Sequence, residues 1–171
     1  MSGNAARLYE EDFVRWTEQQ SRALRKAADL GTNLPLDWEN LAEEVESLGR
    51  SQRRELRSRL AVILEHLMKL EHSPAIDPRR DWMDTISRER LSVEDLLQDS
   101  PSLRGELTSM IELLKPRIAR LATSSLLGYG ETVHRLPLPA YSQEHVLGDW
   151  FPERAPHADP LPASGEREKP A

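Results

Sequence analysis

Residues 37–71 read DWENLAEEVESLGRSQRRELRSRLAVILEHLMKLE, and this stretch decides the fold. Trp38, Leu41, Val45, Leu48, Leu56, Leu60, Ile63, Leu67 and Leu70 recur with a helical period, with Gln52 filling the one slot where an apolar residue is expected. A strand would alternate by two. Asp37 suits the N-cap, and Glu39 places an acid in the first turn. Gly49 costs about 1 kcal/mol relative to alanine inside a helix. The period keeps its phase across Gly49, so the stretch predicts one long helix, bent at most at that glycine. Its length would be on the order of 50 Å.

The two halves of this helix differ. From Glu39 to Arg57 it is amphipathic, with Glu39, Glu43 and Glu46 followed by Arg50, Arg53, Arg54 and Arg57 on the outer face. From Leu60 to Leu70 it is apolar on most sides, which predicts burial in a bundle or at a subunit interface. That run is interrupted by Glu65, His66 and Lys69, and it is too short and too polar to span a membrane.

Outward from the central helix, Tyr9, Phe13, Trp16, Leu24, Ala27 and Leu30 predict a first amphipathic helix over about 9–30, stopped by Gly31. The short link to Leu36, with Pro35 in it, suits an antiparallel pair. Pro74 and Pro78 mark a loop, and Trp82, Ile86, Val93 and Leu97 predict a third helix over about 81–98. Ser100 and Pro101 read as the cap and first turn of a fourth helix. Its buried stripe is Leu103, Leu107, Met110, Leu114, Ile118 and Leu121, it is kinked by Pro116, and Gly128 and Gly130 end it. An extended arm follows, with a helical turn capped by Ser142 and with Trp150 and Phe151 docking it on the bundle. The expected architecture is all-α: about four main helices around one long central helix, forming a single domain over 8–151. The Pro- and charge-rich stretch 152–171 is expected to be disordered. The first helix would cover the amphipathic half of the central one, and the third and fourth would sheath the apolar half.

Composition narrows the function classes. The chain has 171 residues, 30% charged and 5% aromatic, with a net charge of −6. With no cysteine there is no disulfide, thiolate metal site or cysteine nucleophile. No signal-like or membrane-spanning stretch stands out, which makes cytoplasmic the default location. The acidic balance argues against general nucleic-acid binding.

The segments Tyr9-Glu-Glu-Asp-Phe-Val-Arg-Trp16 and Leu36-Asp-Trp-Glu-Asn-Leu-Ala-Glu-Glu-Val-Glu-Ser-Leu-Gly49 resemble the bacterial family called domain of unknown function 29. Ser51 to Leu60, Leu64 to Leu70, Asp99-Ser-Pro-Ser-Leu103 and Gly148-Asp-Trp-Phe-Pro152 are similar to it as well. The resemblance spans nearly all of Tyr9 to Pro152. It implies a helical fold in a bacterial protein and carries no activity with it.

Three functional readings follow. The first is action through protein contacts, as a homodimer or a partner-binding module. The second is a ligand or enzymatic site between helices. At 100° per residue, Gln52, Glu55, Arg59 and His66 fall within about 60° of one another at the edge of the apolar stripe. A partly buried Arg59 needs carboxylate partners, with Glu55, Glu18 and Glu106 as candidates. The site could take a small anion, or it could be a plain internal salt bridge. The third reading is a nucleic-acid-associated role for the stripe Arg50, Arg53, Arg54 and Arg57, which is otherwise a solvated ion-pair face. No metal site, catalytic residue or cofactor is expected. Glu44 and His66 lie roughly 33 Å apart along the helix, and no His-Glu-x-x-His motif occurs.

Overall fold

A computed structural model describes residues 2–31, 34–131, 133 and 135–153. The elements in order are α1 (Ser2–Glu11), α2 (Phe13–Asp29), α3 (Trp38–His72), α4 (Arg79–Asp99), a 3-10 turn (Pro101–Glu106), α5 (Leu107–Gly128) and α6 (Gln143–Leu147). No strand occurs among the described residues. The all-α bundle around one long helix stands.

The central helix α3 runs 35 residues, unbroken through Gly49. Asp37 caps it by accepting from the Asn40 amide at 3.1 Å. Gly49 is fully packed: a Cβ there would lie 2.4 Å from Thr17 Oγ1 on α2. The glycine therefore marks the point where two helices touch.

The predicted first helix is two. Asp12 interrupts it with extended backbone and caps α2 through the Arg15 amide. Asp12 is buried and reaches across the chain, accepting from the Ser102 amide at 2.8 Å and the Ser102 hydroxyl at 2.9 Å. Ser100 Oγ accepts from the Val14 amide at 3.2 Å. Ser100 thus makes a tertiary bond and caps no helix with its side chain. The fourth helix begins as a 3-10 turn and becomes α-helical only at Leu107. Gly31 follows α2 at φ +63°, a conformation that favours glycine.

The core is built on the second half of α3. Leu60, Ile63, Leu64, Leu67, Met68 and Leu70 are all 0% exposed. They pack with Trp82, Ile86, Val93 and Leu97 of α4 and with Leu107, Ile111, Ile118 and Leu126 of α5. The polar interruptions cancel: Lys69 pairs with Glu65 at 2.6 Å. The apolar half is therefore covered within the chain. In α5 the buried stripe continues through Ala119 and Ala122, while Leu121 is exposed. The helix runs on through Pro116.

The first half of α3 lies along α2, held by Arg25–Glu46 and by Arg53–Glu18 at 2.6 Å. Among residues 38–48 only Ala42 is buried. Ser142 caps α6 by accepting from the His145 amide, as expected. Residues 154–171 of the expected disordered tail lie outside the described residues.

Candidate functional site

The four residues of the proposed polar site share one stripe of α3 but not one pocket. Arg59 donates to Glu55 at 2.7 Å and to Glu89 of α4 at 3.1 Å. The hydrogen bond to Glu55 leads in raising its pKa, with burial opposing and Glu89 adding. Glu89 was outside the expected partners, because nothing in the sequence gives the register of α4 on α3. His66 turns back on its own helix, with Nδ1 2.8 Å from the Val62 carbonyl. Burial holds the imidazole below its ordinary pKa against that bond. Gln52 lies further along, in a cleft with Tyr9, Glu10, Phe13 and Asp99. Its Oε1 is buried without a hydrogen-bond partner.

Glu18 and Glu106, considered for Arg59, hold Arg53 instead, at 2.6 and 2.8 Å. Burial works against that charge, and the bonds to Glu18 and Glu106 more than compensate, so the pKa is raised. This triad ties α2, α3 and the 3-10 turn together. In the arginine stripe, Arg50 pairs with Glu43 at 3.1 Å and Glu46 at 3.3 Å. Arg54 donates to Ser51 Oγ at 2.7 Å. Arg57 is exposed and has no partner among the described residues. The hydrogen bond from Arg25 holds Glu46 below the usual carboxylate range. Two of the four arginines of the stripe, Arg50 and Arg53, are therefore held in ion pairs. Among the described residues no group of three His, Asp or Glu could hold a metal.

Sequence reasoning missed Arg90. It donates to three carbonyls of the C-terminal arm: Val146 at 3.0 Å, His145 at 2.9 Å and Trp150 at 2.8 Å. Its guanidinium lies 4.9 Å from the centroid of the Phe151 ring. Burial lowers its pKa, opposed by Asp149. Beside it lies a cleft of about 500 Å³. The signal in the sequence was a charged residue at an apolar slot, since Arg90 lies four residues after Ile86 and three before Val93 on the stripe of the predicted third helix. Tyr141, also on the arm, is buried and donates to Glu71. Burial, then that bond, push its pKa well above the usual phenol value.

One stripe of α3 changes character along its length. Leu41, Val45, Leu48, Gln52, Glu55 and Arg59 lie on the same side. From Arg59, α4 covers it through Glu89, and α4 ends at Asp99 beside Gln52. Beyond that end the stripe is open: Leu41 is 40% and Leu48 47% exposed. Leu30, Leu34 and Leu36 are also exposed, at the adjoining tip of the hairpin.

Among the described residues no helix is long and apolar enough to cross a membrane. No curated protein matches the chain. Among solved structures it is similar to an alpha-helical protein of unknown function from Rhodospirillum rubrum ATCC 11170. That likeness has 27% identity and a TM-score of 0.66, covering 82% of this chain and 89% of the other. The profile of the family described as domain of unknown function DUF29 matches residues 8–150, and the chain belongs to that family.

Proposed function

We propose that the chain works through protein contacts, and that the open side of the α2/α3 hairpin docks a second copy of itself. The observation that carries this reading is the change along one stripe of α3. Its second half is covered within the chain, whereas Leu41 and Leu48 remain 40% and 47% exposed. A two-helix hairpin is half of a four-helix bundle, and among the described residues no third helix closes over Leu41 and Leu48. The open stripe continues the track that α4 occupies, so its natural cover is another amphipathic helix. Leu41 and Leu48 lie two turns apart. An antiparallel copy of α3 would set Leu41 of one chain against Leu48 of the other about a two-fold axis, the self-complementary form of a homodimer. Exposed apolar groups gathered in this way mark interaction surfaces more than singly scattered ones do.

The experiment is sedimentation equilibrium over a wide concentration range. The expected mass at high concentration is twice the 19.5 kDa of the monomer. The double substitution Leu41→Ser, Leu48→Ser should give monomer at all concentrations with its denaturation midpoint kept. A wild-type protein that stays monomeric at high micromolar concentration would overturn the proposal.

A further inference from the structure

A cleft of about 590 Å³ lies between α5 and residues 135–138 of the C-terminal arm. Pro116, Ala119 and Thr123 line it from successive turns of α5, and Leu136, Pro137 and Leu138 line it from the arm. Thr123 sets the spacing between these walls. Its hydroxyl donates to the Ala119 carbonyl at 2.7 Å and accepts from the Leu136 amide at 3.2 Å, so it is used up in holding the arm to the helix. Ala119 and Leu136 are buried and form the floor, whereas Leu138 is 61% exposed.

The charge around this cleft has one sign. Arg120 and Arg135 line it, and no acid does. Neither arginine has a partner among the described residues, and neither has Arg117, three residues before Arg120 on α5. The one acid of α5, Glu112, is paired with Lys115 at 2.6 Å. In a chain of net charge −6, unbalanced positive charge is thus gathered beside an apolar floor. The Ser124 hydroxyl on the same rim is also without a partner.

Two free guanidinium groups over an apolar floor suit an anion joined to an apolar body, since a guanidinium grips a carboxylate through paired N–H donors. The volume is that of small-molecule sites, about 300–1,000 Å³. An extended peptide added to the arm would find few main-chain donors. Pro137 and Pro139 have none, and the Leu136 amide is already taken. A nucleic acid would be repelled by the acidic chain. A bilayer is flat and would leave the floor unfilled. We infer that the cleft binds a single-chain organic anion, a carboxylate on an alkyl chain. The chain lies along Ala119, Leu136 and Leu138, and the carboxylate accepts from Arg120, Arg135 and Ser124. The stripe of Leu41 and Leu48 is on α3, so the inference does not depend on dimerisation.

The probe is decanoate below its micelle concentration, with acetate and decylammonium as controls. The readout is the ¹H–¹⁵N NMR signals of the Leu136 and Leu138 backbone amides. Decanoate should shift both saturably. Acetate has the head without the chain, and decylammonium has the chain with the opposite charge. Each should bind more weakly by roughly tenfold or more. The double variant Arg120→Gln, Arg135→Gln changes two exposed residues without touching the core, and it should weaken decanoate by roughly tenfold or more. Arg117→Gln lies outside the lining and should change the affinity less than about twofold. Sedimentation with phosphatidylglycerol vesicles, while decanoate gives no saturable shift, would make this face a membrane contact and overturn the inference. Equal affinity in the double variant, equal binding of decylammonium, or the same loss in Arg117→Gln as in the double variant would overturn it as well.

Discussion

Gly49 of α3 and Thr17 of α2 touch backbone to side chain: a methyl group at Gly49 would fall 2.4 Å from Thr17 Oγ1. Thr17 cannot easily turn away, because its hydroxyl donates to the Val14 carbonyl at 2.7 Å and the residue is fully buried. The glycine is therefore a packing residue, although it sits in the interior of a 35-residue helix where alanine would serve the helix better.

Gly49→Ala should lower stability. Alanine gains about 1 kcal/mol of helix propensity, while overpacking costs about 1–3 kcal/mol. The net expectation is a loss on the order of 1 kcal/mol in urea denaturation. In a Thr17→Ala background the same substitution should be neutral or stabilising, since the clash is gone. A stabilised Gly49→Ala single variant would show that α2 and α3 do not meet this closely.

Asp12 joins the corner between α1 and α2 to a segment 90 residues further along. Asp12→Ala removes a helix cap and a charge-assisted bond to the Ser102 amide, and should cost about 2–3 kcal/mol. Asp12→Asn keeps one of the two accepting oxygens and should recover part of the loss. Hydrogen exchange offers a second check: amides near Val14 and Ser102 should lose protection together in Asp12→Ala. Loss confined to α2 would reduce Asp12 to a local cap.

Tyr141 gives an alkaline signature. Its folded pKa is raised above the unfolded value of 10.0 by burial and by the bond to Glu71. Below pH 10 the phenol is neutral in both states and its contribution is fully present. As pH climbs past 10, the unfolded chain ionises while the folded one resists, and stability is lost. Tyr141→Phe should flatten the fall in unfolding free energy between pH 9.5 and 11, as measured by denaturant titration. Parallel slopes for the two proteins would place Tyr141 in contact with solvent.

The long helix was legible because its evidence is local. Asp37, the apolar period and the unchanged phase across Gly49 all lie within one stretch. The same holds for Ser142 and the turn it caps. The break at Asp12 was not legible, because the helical period continues on both sides of it and one polar residue at the edge of the stripe does not interrupt that period. Its reason lies in Ser102, on another part of the chain. The candidate site split for a related cause. Helical spacing put Gln52, Glu55, Arg59 and His66 on one stripe, but the position of α4 decides what each one meets. Arg59 found Glu89, whereas Gln52 lies beside Asp99, the last residue of α4. Likewise, the register of α2 gave Glu18 to Arg53.

The Arg90 clamp bears on the order in which the molecule is completed. Arg90 is made some 55 to 60 residues before the carbonyls it holds. On the ribosome, α4 is translated before any of these carbonyls exists, so until then its guanidinium lacks them as acceptors. Only when the segment around Trp150 has been synthesised does the arginine lose its solvent and receive its ligands. Arg90 therefore joins α4 to a segment translated well after it, and a nascent chain stalled before that point would leave the arginine open to other acceptors.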